Sequence, residues 1–365
     1  MMLTRYDEFL CHQAVSTFDH PDTSAREWTE RTWFCVHDTE GKLIMVNSFG
    51  YYPNRNIIDS YVSVTVRGET VYTVRASREL RPQVDETKVG PFSYEIVEPL
   101  KQVRSKLEEN DYGVSYDILF DGVMPAHEEN PQFTRVRGRV EEHTMRYVQT
   151  GRPSGWIKAG NETFQVDPDN WRCHRDHSWG VRRGGGVPEF GVQPGEIPQG
   201  YMHNFITYQF EDWGLTFHRR ENSEGEPLIF SGTLMYPYGS GKEELAIGAI
   251  EHNYTFRSDI RQATGGEIKF TTVDGNQFTV NARGLIPCYL KAGGMFGFRD
   301  FVHGQWMGPY FIDGHKLDLN DPQQLAEVHF IEDLACELEC NGQKGYGILE
   351  MVLIGRYLKY GYEGY

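Results

Sequence analysis

The chain has 365 residues and a formal net charge of −16, with 36 Lys and Arg against 52 Asp and Glu, which argues against nucleic acid or an anionic membrane surface as partner. At 39% hydrophobic and 13% aromatic the composition is that of a soluble globular protein, and the length suggests two domains rather than one. No run reaches transmembrane length, and the start, Met1-Met2-Leu3-Thr4-Arg5-Tyr6, lacks the apolar core and cleavage site of a secretory leader.

Along the chain, 4–16 has helical spacing. Strands with period two follow near 31–37 and 43–49, around the Glu40-Gly41 turn signal. Next, Ile58, Ser60, Val62, Val64 and Val66 alternate with Asp59, Tyr61, Ser63, Thr65 and Arg67. Further strands are expected near 71–77, at Val114, Tyr116, Ile118 and Phe120, and as a hairpin over 156–166 around Ala159-Gly160-Asn161. The second half repeats the style near 203–210, 228–235 and 245–256, in a hairpin over 270–280, and at 345–354 after the Asn341-Gly342 turn. Residues 322–335 carry both periodicities and are read mostly as strand. Many short antiparallel strands make an all-β chain, a barrel or a sandwich. The segment 32–46 is echoed by 207–230 and the hairpin 156–166 by 270–280, which suggests a duplicated unit. The expected division is 1–185, a Gly/Pro-rich linker at 186–199, and 200–365. The six cysteines have no paired spacing, so free thiols and a cytoplasmic setting are expected.

The densest chemistry lies in Trp171-Arg172-Cys173-His174-Arg175-Asp176-His177-Ser178-Trp179-Gly180-Val181-Arg182-Arg183. Charges at this density inside a strand need partners. In an extended strand His174, Asp176 and Ser178 share one face, and Arg175, His177 and Trp179 share the other, unless Gly180 introduces a bulge. Flanked by Arg175 and Arg182, Asp176 could stay ionised or orient a His ring; in an apolar barrel mouth its pKa would be pushed up instead, which suits a general acid. The alternatives are a structural clasp between halves and, less readily, a metal set of His174, Asp176 and His203 or His177. A second cluster, Phe298–Tyr310, contains His303, Trp306 and Tyr310. Glu350 stands among apolar neighbours, and Tyr208 on a second-half strand. No phosphate loop, nucleophile elbow or dinucleotide fingerprint is present, so no nucleotide or flavin is expected.

The Arg175-Asp176-His177-Ser178-Trp179-Gly180-Val181-Arg182 run resembles the Asp-His-x-Trp-Gly signature of the hydroxyneurosporene synthase (carotenoid 1,2-hydratase) and AttH-like superfamily. The resemblance implies two tandem lipocalin-like antiparallel β-barrels or curved sheets with few short helices. It also implies a cofactor-independent lyase or isomerase working by proton transfer on a hydrophobic phenolic or isoprenoid molecule, by hydration, dehydration or retro-aldol-type cleavage. On that reading Asp176, His177 and Arg182 are catalytic, and Arg175, Trp179, Tyr208, His303, Trp306 and Glu350 bind substrate. No metal or cofactor is called for, and a homodimer is left open. A carrier of hydrophobic ligands and a metal-dependent enzyme are the competing readings.

Overall fold

The structure, a computed structural model, describes residues 20–182 and 199–364. The helix expected at 4–16 and the expected linker up to residue 198 lie outside them. The described chain is almost all antiparallel strand, arranged as one long curved sheet and one closed barrel.

The long sheet runs, neighbour to neighbour, Tyr310–Asp318, Thr70–Glu79, Ile57–Val66, Leu43–Tyr52, Trp28–Asp38, Trp171–Val181, Arg139–Ala159, Val114–Gly122, Gln102–Leu107, Phe92–Glu98 and Lys88–Val89. Three short strands also pair along the 21-residue strand Arg139–Ala159. The sheet curls around a core that includes Phe34, Val62, Val64, Phe92, Tyr116, Phe120 and Ile157. The barrel closes through Gly200–Gln209, Gly214–Asn222, Pro227–Met235, Leu245–Phe256, Ala263–Thr272, Gln277–Tyr289, Glu332–Cys340 and Gln343–Gly355. Its interior holds Ile206, Tyr208, Leu215, Phe217, Phe270 and Cys336.

A third apolar layer joins the two: Trp33, Cys35, Val46, Tyr61 and Val148 from the sheet meet Phe205, Ile286, Ala335, Ile348 and Val352 from the barrel. Each large side chain buried there contributes about 1.5–3 kcal/mol. This layer explains why Ile57–Val66 is buried on both faces. Ile58, Val62 and Val64 fill the sheet's own core. The alternate face, Asp59, Tyr61 and Ser63, would be solvated in an isolated sheet. Here Ser63 Oγ donates to the Tyr289 carbonyl at 3.0 Å, and Asp59 accepts from the Gly304 amide at 2.7 Å.

Two sequence expectations change. Residues 322–335 are not mostly strand: Pro322–Val328 is a helix, capped by the Asp321 side chain accepting from the Gln323 amide at 2.9 Å. Proline at the first helical position suits that turn, and strand begins only at Glu332. Second, Tyr310–Asp318, in the expected second unit, is the edge strand of the first sheet, paired along Thr70–Glu79. The fully buried Arg75 fixes it there. Its Nε donates to Asp313 Oδ1 at 2.8 Å, and its guanidinium packs against the Phe298 and Phe301 rings. Among the described residues no helix is long and apolar enough to cross a membrane.

Candidate functional site

Trp171–Val181 lies centrally in the first sheet, between Trp28–Asp38 and Arg139–Ala159. The register sets Asp176 beside Trp33 and Val148, and Ser178 beside Arg31 and Arg146. The alternation of the strand then divides its polar residues. His174 and Asp176 turn to the barrel, where His174 Nδ1 stands 3.1 Å from Thr207 Oγ1. Arg175, His177 and Trp179 turn the other way. Arg175 donates to Gln149 Oε1 at 2.6 and 3.0 Å and lies over the Phe120 ring. His177 Nε2 is 2.7 Å from Glu30 Oε1, and its ring meets Tyr147 and Trp179 edge-on. Gly180 closes the motif at φ 126°, where a Cβ would stand 2.1 Å from the His143 carbonyl oxygen, so only glycine fits this bend.

Asp176 is 9% exposed. Burial raises its pKa from 3.8 to about 6, against the opposing pull of Arg146 and Arg182. Arg146 Nη1 is 3.6 Å away, too far for a hydrogen bond, and no group among the described residues donates one to this carboxyl. Arg146 is itself held by Glu129 through a fork of bonds of 2.7–2.9 Å, and its guanidinium lies 4.4 Å from the centre of the Phe205 ring.

From Glu129 a chain of polar groups crosses into the barrel. Glu129 Oε2 is 3.8 Å from His218 Nδ1, which also receives the Gln132 amide at 2.7 Å. His218 Nε2 faces His203 Nδ1 at 3.2 Å, and His203 Nε2 faces Glu350 Oε1 at 2.7 Å. Trp33 Nε1 donates to Asp333 Oδ2 at 2.7 Å, while Asp333 Oδ1 is buried with no donor and faces Glu350. Burial and then Glu350 push the Asp333 carboxyl well up; on Glu350, His203 and Arg146 overcome burial and hold it below its ordinary value. Two carboxyl groups this close cannot both ionise, so Asp333 keeps its proton and gives it to Glu350 in a hydrogen bond. Burial, with Arg146 beside it, holds the His218 ring well below the usual imidazole value. With Gln132 as donor one tautomer set satisfies every link: His218 Nε2–H donates to His203 Nδ1, and His203 Nε2–H donates to Glu350.

Of the residues singled out from sequence, the structure brings Asp176, Arg182 and Glu350 into one electrostatic neighbourhood. His177, expected to be catalytic together with Asp176, is on the opposite face, as are Arg175 and Trp179. Tyr208 is inside the barrel, its hydroxyl buried without a partner. His303 is buried, stacked on Tyr61 and bonded at 3.1 Å to the Gly293 carbonyl, whereas Trp306 is 54% exposed. The proposed metal set does not converge: His174 goes to Thr207, His177 to the far face, and no group of three or more ligands suited to a metal occurs among the described residues. Sequence reading missed Arg146, Glu129, His218 and Asp333. The one available signal was a carboxyl next to apolar residues in a strand, as at Asp333 before Leu334 and Ala335.

No curated protein sequence matches this chain. Among solved structures, a protein of Nitrosomonas europaea described as a candidate AttH is similar over 89% of this chain and 92% of its own, with TM-score 0.54 and 11% identity. CghA, solved with Sch210972, is similar over 89% and 88%, with TM-score 0.52 and 10% identity. Kievitone hydratase from Nectria haematococca covers the same shares at 12% identity, with a TM-score of 0.43. The first two likenesses show that this chain shares its overall fold, two successive antiparallel β units, with those proteins. The model of the family of unknown function DUF8625 matches residues 3–363, and the chain belongs to that family.

Proposed function

We propose that the face between sheet and barrel is the active site of an enzyme that moves protons on a hydrophobic small molecule, adding or removing water or cleaving a carbon–carbon bond in the retro-aldol sense. The observation that carries this reading is Asp176: a buried carboxyl, pushed up to about 6, with no hydrogen bond from the described residues and two arginines nearby. In a hydration, Asp176 gives its proton to an alkene carbon. The Trp33 and Phe205 rings line the same layer and favour the cationic carbon that forms. Water adds to that carbon and returns a proton to Asp176, so the acid is regenerated. Arg146, anchored on Glu129, positions Asp176 and keeps burial from raising its pKa further. The His218–His203–Glu350–Asp333 chain holds the barrel wall in register with it. That CghA, of the same fold, was solved with Sch210972 supports a small-molecule ligand.

The test is mass spectrometry of isoprenoid alkenes, tertiary alcohols and phenolic dimers incubated with the protein in D₂O. Gain or loss of water, loss of formaldehyde or deuterium uptake is expected, falling about a hundred- to ten-thousand-fold in Asp176→Asn. Ligands that co-purify unchanged would replace this reading with that of a carrier.

A further inference from the structure

One rung of the first sheet, on the face turned to the barrel, crosses five strands as Asp59, Gly50, Arg31, Ser178 and Arg146. Arg182, just past the Gly180 bend, feels both Arg31 and Asp176. The guanidinium groups here differ in how well they are satisfied. Arg146 is engaged by Glu129 through Nε and Nη2. Arg31 makes one side-chain hydrogen bond, from Nη2 to the Tyr52 hydroxyl at 3.0 Å, and its Nε is buried with no partner. Arg182 Nε is likewise buried and unpartnered.

The nearby carboxylate does not fill the gap. Asp59 accepts from the Gly304 amide at 2.7 Å. A Cβ on Gly50 would fall 2.4 Å from both Asp59 Oδ1 and the Tyr52 hydroxyl, so glycine lets these two close up on one side of Arg31. The other side, toward Ser178, is left to the arginines. Both arginines remain partly exposed, so a ligand can reach them. Two neighbouring guanidinium groups, each with a buried Nε that lacks an acceptor, are unfavourable alone and favourable around an anion, whose oxygens take two parallel N–H bonds from such a fork.

We propose that Arg31 and Arg182 bind an anionic head group, a carboxylate or similarly compact oxyanion, beside Ser178, so that the substrate is an amphipathic acid whose apolar part lies along Trp33 and Phe205. The placement of the reacting atoms at Asp176 rests on the function proposed above; the anion site itself does not.

The test is calorimetric binding of geranate and geranamide, which share an apolar chain and differ in head-group charge, to the full chain. Geranate is expected to bind about tenfold or more tightly than geranamide. Arg31→Gln and Arg182→Gln should each erode the preference, and Arg31→Lys should keep part of it. Asp176→Asn should keep or strengthen it, so that loss of turnover and loss of anion binding are separate results. Equal binding of the two probes by the unaltered protein, a preference surviving both glutamine variants, or no saturable binding of geranate at millimolar concentration would overturn the proposal.

Discussion

Asp176→Asn separates a catalytic carboxyl from a structural clasp through stability alone. The carboxyl moves from 3.8 to about 6 on folding. Its folded pKa is the higher one, so the folded state holds the proton more tightly, and stability falls as pH rises from about 4 to about 6. Each pKa unit is worth about 1.4 kcal/mol, so the loss amounts to about 3 kcal/mol above pH 6. Asparagine has nearly the same shape and does not titrate. The variant should therefore match the unaltered protein near pH 4, gain on it through that window, and be more stable by about 3 kcal/mol at pH 7, while losing turnover. Urea unfolding at a series of pH values, followed by tryptophan fluorescence, measures the difference. Two parallel stability curves would refute the burial argument. A variant several kcal/mol weaker at pH 7 would make Asp176 a clasp, because its charge would then be holding sheet and barrel together.

The same electrostatics shape the rest. If Asp176 acts as an acid, kcat/KM should be flat below pH 6 and fall about tenfold per pH unit above it, and a rate rising through pH 6 would assign it as the base. Because Asp333 holds its proton, Asp333→Asn should stay within about 1 kcal/mol of the unaltered protein at pH 7, whereas Asp333→Ala strands Trp33 Nε1 and Glu350 and should lose about 3–5 kcal/mol in urea unfolding. The Tyr208 hydroxyl is buried without a partner, so Tyr208→Phe should raise stability by about 1 kcal/mol in thermal melts, and a lowered Tm would mean that the hydroxyl is bonded after all.

Much of the layout was legible because it depends on local alternation. The strand expected near 43–49 is Leu43–Tyr52, that near 245–256 is Leu245–Phe256, and the face division of 171–180 holds through Asp176 and His177. The Asn341-Gly342 turn was equally readable, with both residues at positive φ. The network was not readable, because its links join distant positions. Trp33 and Asp333 are 300 residues apart, and nothing local to either announces the other. Naming Asp176 and His177 together as catalytic follows the motif and conflicts with the strand alternation, which sends adjacent side chains to opposite faces. The helix Pro322–Val328 was hidden by alternation that belongs to the following strand, although Asp321-Pro322 is itself a helix-start signal.

The strand Tyr310–Asp318 leaves the barrel's stretch of sequence and completes the edge of the first sheet. The two halves are therefore interlaced like clasped fingers. Cutting the backbone between residues 183 and 198 would not free them, because the second fragment would still be stitched to the first along Thr70–Glu79. The first fragment expressed alone would have a bare strand edge and a buried guanidinium, Arg75, stripped of its carboxylate. Whatever cleft the chain works with is thus formed only when the last quarter of the polypeptide has arrived, and gene fragments of this protein should recover function only when supplied together.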